Sequence, residues 1–180
     1  MRSMRCCFKG KKEQGSFVLR EMVKNFPARF KILFPLLMLS VFVIDRLFKS
    51  YALSHFSSNP VNLLGVIQLT YIQNTGISFG MFQNMNSVFI VISAVLVAVI
   101  IILRRKISEG SIYVYLALSL IVGGALGNLY DRIAHGYVID FVDLAFFPAV
   151  FNAADFFITI GALLILIFSL FPKLRRGGRG

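Results

Sequence analysis

Long apolar stretches separated by polar segments dominate the chain: Ile32–Leu53, Ser87–Leu103, Ser111–Tyr130 and Ala153–Phe171. Each comes near the roughly 20 residues an α-helix needs to cross about 30 Å of hydrocarbon. A spanning segment must satisfy its own backbone hydrogen bonds, so each stretch is expected to be helical. The second is short and would stand with little tilt. The segment between the first two has another rhythm. Val66, Ile67, Gln68, Leu69, Thr70, Tyr71, Ile72 and Gln73 are rich in β-branched residues and roughly alternate, which predicts short strands. They turn at Asn74–Gly76, where Asn and Gly tolerate left-handed backbone. The pattern predicts a membrane all-α fold, a four-transmembrane-helix bundle with a small extracytoplasmic β-rich loop region. Residues 32–172 form that bundle, between a basic leader at 1–31 and a basic tail at 173–180.

In the leader, Phe17, Val18, Leu19, Met22, Val23 and Phe26 sit at helical spacing. This fits a short interfacial helix, and a disordered leader equally. No apolar run precedes Cys6 and Cys7, so the leader does not read as a cleavable secretory signal. These two cysteines are adjacent and lack metal-ligand spacing, so they are expected to be reduced thiols on the cytoplasmic side.

Composition agrees with a membrane home. Hydrophobic residues make up 57% of the 180, and charged residues only 15%, against about 25% in soluble domains. The net charge of +11 raises nucleic acid as a partner, but the placement of the charges answers it. Lys and Arg crowd the leader, the tail and the Arg104–Arg105–Lys106 turn. The other two connections, 54–86 and 131–152, hold only Arg132. Basic residues stay inside, so both termini are expected in the cytoplasm and the two long loops outside, with no nucleic-acid partner. Anionic phospholipid is the expected partner of the basic ends. Arg46 and Lys49, in the last turns of the first span, are expected to snorkel to the interface.

The acidic residues are also sorted. Asp45, Asp131, Asp140, Asp143 and Asp155 all fall at or beyond the outer ends of spans, while the glutamates lie on the inner side. Ionisable groups at membrane depth are costly and usually functional. Asn152 stands where it would cap the fourth span, and Asp155 in its first turn is then a favourable charge. Phe156, Phe157 and Ile158 follow, so the carboxylate also needs a partner, and Asp140 is the natural candidate. Two neighbouring carboxylates do not both ionise readily. One can take a proton from water while the other, neutral, polarises a peptide carbonyl.

Other chemistries fit less well. Gly76–Gly80 matches a nucleophile-elbow spacing, but the chain has no room for the α/β-hydrolase around it. His55 and His135 show no triad order, and no zinc-peptidase motif occurs. No metal or cofactor is expected. Gly123 and Gly127 form a small-residue face for helix packing.

Asp45 with Lys49, Asn74-Thr75-Gly76 with Phe79, the run Gly124–Arg132, the run Gly136–Phe141 and the run Phe151–Asp155 together resemble the lipoprotein signal peptidases, or type II signal peptidases. The resemblance covers roughly residues 32–172 in order. It implies an aspartic endopeptidase of the bacterial inner membrane with its site at the outer face. Asp140 and Asp155 would be the catalytic pair, and Asp45, Asn74, Asn128, Arg132 and Asn152 would support the site or bind substrate. The substrate would be a prolipoprotein bearing a diacylglyceryl group on a cysteine, cut just before that cysteine, and globomycin would inhibit. Arg46 stands where Gln is common, and Ser78 where Ala is common. On the residues alone, Arg132 could pair with Asp131, bind a lipid phosphate or simply snorkel. Asn128 could join two helices or meet substrate backbone. A small transporter or a membrane scaffold would also carry intramembrane Asp. The apolar inner halves of the spans speak against a through-route, and a scaffold needs no pair of carboxylates at one depth.

Overall fold

The computed structural model describes residues 28–76, 85–108 and 111–171. Helix α1 runs Ala28–Phe56, α2 Asn86–Ser108, α3 Ile112–Ala134 and α4 Ala153–Leu170. The strands are β1 Val61–Leu63, β2 Ile67–Asn74, β3 Val138–Leu144 and β4 Phe147–Phe151. The apolar runs of the sequence became these helices, several longer than the runs themselves because polar residues extend them. α2, α3 and α4 are each long and apolar enough to cross a membrane. Residues 1–27 of the leader, the basic tail, and the Gly76–Gly80 motif beyond its first residue, Ser78 included, lie outside the described residues, whereas 28–31 of the leader begin α1.

α3 is the hub. It packs against α1, α2 and α4, and its Val114, Tyr115, Leu118 and Val122 form a core with Phe34 and Val97. The small-residue face works as its spacing suggests. A Cβ at Gly123 would come within 2.7 Å of the Met38 carbonyl oxygen, and one at Gly127 would collide with the Asp45 carboxylate. These glycines let α1 and α3 approach closely at the level where α1 carries its charges. Elsewhere apolar side chains face outward, among them Ile32, Leu36, Leu39 and Val43 on α1 and Val88, Val91, Val95 and Ile102 on α2. Such broad exposed apolar surface marks contact with something other than water.

The strands form one antiparallel sheet in the order β1-β2-β3-β4. The alternation around Val66–Gln73 marked β2 to within a residue. β3 escaped notice as a strand because its first four residues are all buried, so no alternation survives in the sequence. The sheet sits on the C-terminal end of α1, where Ala52, Phe56 and Phe141 are packed with Leu69, Tyr71, Val142 and Ala153. β3 starts just after α3 ends, and β4 runs through Asn152 straight into α4. This connectivity sets Asp140 on β3 beside the first turn of α4.

Candidate active site

The first turn of α4 is built reciprocally. The Asn152 side chain accepts the Asp155 backbone N–H at 3.0 Å, and the Asp155 carboxylate accepts the Asn152 N–H at 3.3 Å. Capping the helix does not exhaust Asn152, because its Nδ2 donates to Asp140 Oδ1 at 2.6 Å. Asn152 therefore caps α4 and contacts both carboxyl groups at once.

Asp140 receives a second amide. Asn74 pairs with Val138 across β2 and β3, which puts its side chain diagonal to Asp140 on the same face. Its Nδ2 donates to Asp140 Oδ2 at 2.8 Å, and its Oδ1 accepts the Gly76 N–H at 3.0 Å, closing the turn. Asp155 receives Asn128 Nδ2 at 2.8 Å from α3. Both carboxyl groups are thus held by neutral amides. Burial, and then the negative charge of Asp155, push the Asp140 carboxyl from the usual 3.8 up to about 6, against the opposing pull of the Asn74 and Asn152 amides.

Beneath this pair lies a second group of charges. Asp45 Oδ2 contacts Arg46 Nη2 at 2.7 Å and Lys49 Nζ at 3.1 Å. Asp131 Oδ1 takes Arg46 Nη1 at 2.5 Å, and its Oδ2 takes Lys49 Nζ at 2.7 Å. Lys49 is only 1% exposed, so it does not snorkel. The helix faces turn it inward, where two carboxylates compensate its desolvation. Arg46, with a side chain 19% exposed, is likewise committed to the cluster and lies against the Tyr130 ring at 4.9 Å. The expectation that both residues reach for the interface is corrected.

This cluster carries three attachments to the upper site. Asp45 Oδ1 accepts the Ala154 N–H at 2.9 Å, tying α1 to the first turn of α4. Asp131 Oδ2 accepts the Ile139 N–H at 3.2 Å, fixing β3 one residue before Asp140. Lys49 Nζ donates to Asn128 Oδ1 at 2.7 Å, which orients the amide that Asn128 offers Asp155. Asn128 therefore joins three elements. With Asp131 occupied, Arg132 does not pair with it. Arg132 instead donates to the Gly76 carbonyl at 3.2 Å and covers the Phe89 ring at 5.4 Å, with its charge still felt by Asp140 and Asp155.

Asp140, Asp155, Asn74, Asn128 and Asn152 thus meet directly. Asp45 reaches only backbone of the first turn, and Arg132 stands one residue removed. Sequence reasoning missed Asp131 as a support and misjudged Arg46 and Lys49. Their proximity in the runs Asp45–Lys49 and Gly124–Arg132 was visible, but not that the two runs pair. His55 stacks on Tyr51 at 4.0 Å, and His135 closes α3. Neither histidine touches the pair.

Asn152 and Asp155 form the polar end of a cavity of about 550 Å³. Apart from Thr159 its other lining residues are apolar, with Ile44 and Phe48 from α1, Phe141 and Val142 from β3, and Phe156 and Phe157 from α4. That size lies within the roughly 300–1,000 Å³ usual for ligand sites.

The family profile of signal peptidase (SPase) II matches residues 37–171. A lipoprotein signal peptidase of Caldicellulosiruptor bescii is 44% identical over 144 residues, spanning 79% of this chain and 91% of the relative. That of Caldanaerobacter subterraneus is 53% identical over 97 residues, spanning 54% of this chain and 66% of the relative. Among solved structures, a bacterial membrane enzyme determined by the in meso method superposes with a TM-score of 0.71 at 26% identity, covering 82% of this chain and 93% of its own. The chain belongs to the signal peptidase II family, bacterial membrane proteases of the aspartic type that remove signal peptides from prolipoproteins.

Proposed function

We propose that Asp140 and Asp155 are the catalytic pair, acting on a prolipoprotein whose cysteine carries a diacylglyceryl group and cutting the peptide bond just before it. Asp155, in a helix first turn that favours negative charge, takes a proton from water as the water oxygen bonds to the scissile carbonyl carbon. Asp140, protonated, donates to the carbonyl oxygen as it gains charge. Collapse of the tetrahedral adduct breaks the C–N bond, and the proton held by Asp155 passes to the departing amine of the cysteine. The oxygen's proton returns to Asp140. Asn74 and Asn152 hold Asp140, and Asn128 and Asn152 hold Asp155. Asp45 sets the helix end, and Arg132 fixes the β2 turn beside the site.

The observation that carries this reading is the pair of carboxyl groups held only by amides and joined through Asn152, with Asp155 and Asn152 lining an apolar cavity. Cleavage of a diacylglyceryl prolipoprotein in proteoliposomes tests it. Asp140→Asn and Asp155→Asn should each abolish cleavage while the protein stays folded, and substantial cleavage by either variant removes that residue from the mechanism.

On the same reading α1 is a fourth span. Its length of 29 residues and outward-facing apolar side chains support this, with Asp45, Arg46 and Lys49 paired inside the bundle. The 32–172 unit then has four crossings, both termini cytoplasmic and the carboxyl pair at the outer face, as the Lys/Arg distribution favours. Globomycin is expected to compete for the site.

A further inference from the structure

The β1–β2 and β3–β4 turns lie side by side at one end of the sheet. Ile67 stands opposite Leu144, and the Ala145 N–H donates to the Val66 carbonyl at 3.0 Å. This end has no charged residue in 61–67 or 144–150, and Asn62 is its one polar side chain there. Leu64 is 98% exposed and Phe146 74% exposed, and Leu63, Val66 and Phe147 are exposed around them.

Leu64 is also the only non-glycine with positive φ among the described residues, at 55°. A bulky side chain is disfavoured there, and Asn or Gly would suit the turn better. The chain thus accepts backbone strain to present a leucine that touches almost nothing of its own. In water such a tip gains nothing.

The surroundings of this end explain it. Leu144, next to the β3–β4 turn, lines the same apolar cavity as Ile44 and Phe48 of α1 and Phe156 and Thr159 of α4. Apolar surface therefore runs from this end of the sheet onto the flanks of α1 and α4, while Asn74, at the opposite end, stands by the carboxyl pair.

We propose that the paired hairpin tips, led by Leu64 and Phe146, insert among the acyl chains of the outer leaflet. The partner is lipid hydrocarbon. The wedge fixes the height of β3, and with it Asp140, against the bilayer in which a lipid-anchored substrate is held. This inference rests on α1 and α4 crossing the membrane.

The chain contains no tryptophan, so Leu64→Trp and Phe146→Trp each introduce a sole indole. The full chain is placed in vesicles whose phospholipids carry bromine on the acyl chains, with Leu163→Trp on the outward face of α4 as the lipid-facing reference. Both tip indoles should emit to the blue, be quenched by the brominated chains as strongly as the reference, and resist aqueous iodide. Iodide quenching with no bromine effect at the tips overturns the wedge while leaving the spans intact. A blue emission insensitive to bromine that changes with the protein-to-lipid ratio assigns the tips to a second copy of the chain and overturns it equally. A reference indole that bromine does not quench overturns the spanning assignment, and the wedge with it. Should Leu64→Trp fail to assemble, Phe146→Trp decides the same question from the adjoining turn.

Discussion

Two pairs of aspartates, built from the same residue type and joined through shared neighbours, have opposite surroundings. Asp45 and Asp131 face Arg46 and Lys49, and every oxygen of the pair meets a cation or a backbone N–H. Asp140 and Asp155 meet only amides. A cation fixes a carboxylate as a permanent charge, whereas an amide orients it and leaves its proton exchangeable. On the proposed reading the Asp45–Asp131 pair is a strut and the Asp140–Asp155 pair the working group. The two are joined at Ala154, Ile139 and Asn128, so the strut sets where the working carboxyls stand.

The comparison breaks first if turnover does not separate the pairs. Asp140→Asn and Asp155→Asn should each reduce cleavage by at least ~10²–10⁴, with thermal unfolding in detergent still cooperative. The double variant should lose little more, since residues that act as a unit are not additive.

Next in size is the strut. Asp131→Asn or Lys49→Met leaves the buried cluster with unbalanced charge and one ion pair fewer, a loss of up to about 3–5 kcal/mol. Unfolding temperature should fall steeply, and missing activity should track missing folded protein. Activity lost from fully folded, thermally unchanged protein would move Asp131 or Lys49 into the chemistry.

Third comes pH. Below about pH 4 Asp140 is protonated both folded and unfolded, so it makes no difference to stability. Between about 4 and 6 only the folded chain keeps that proton. Above this the folded chain carries a buried charge, a cost of roughly 3 kcal/mol for a shift from 3.8 to about 6. Stability of the native protein should therefore decline over this window relative to Asp140→Asn, measured by unfolding of both at matched pH. The free-enzyme kcat/KM should also fall as pH rises through about 6, because neutral Asp140 is the acid. A difference between the two proteins that is flat in pH would refute the assignment.

The smallest change concerns Asn152. Asn152→Ser keeps a good cap but loses the donor to Asp140, so cleavage should drop roughly tenfold, the worth of about one hydrogen bond between neutral groups. Asn152→Asp also caps well but sets a third carboxyl against the pair, and should be nearly inactive. Normal rates in both, with unchanged unfolding temperature, would reduce Asn152 to a cap.

Much of this was legible beforehand. The helices were written as apolar runs, β2 as alternation, and the small-residue face of α3 as a spacing of glycines. Asp140, Asp155 and the cap at Asn152 were legible because a carboxylate in front of three apolar residues demands a local explanation. The strut was not, since Arg46 and Lys49 near a helix end already have an adequate destination in the interface. Only the close approach of α1 and α3 at Gly127, which joins residues 85 apart such as Arg46 and Asp131, turns them inward. β3 was hidden because burial on both faces erases the period-two pattern.

The division of labour between the two pairs is tested most directly by the infrared band of protonated carboxyl groups, followed through pH in bilayers. One carboxyl proton should be present at pH 5, leave as pH rises through about 6, and be absent from Asp140→Asn. Its persistence in Asp140→Asn with loss in Asp155→Asn would reverse the roles within the pair. The absence of any such band at pH 5 would contradict a proton held between Asp140 and Asp155 altogether.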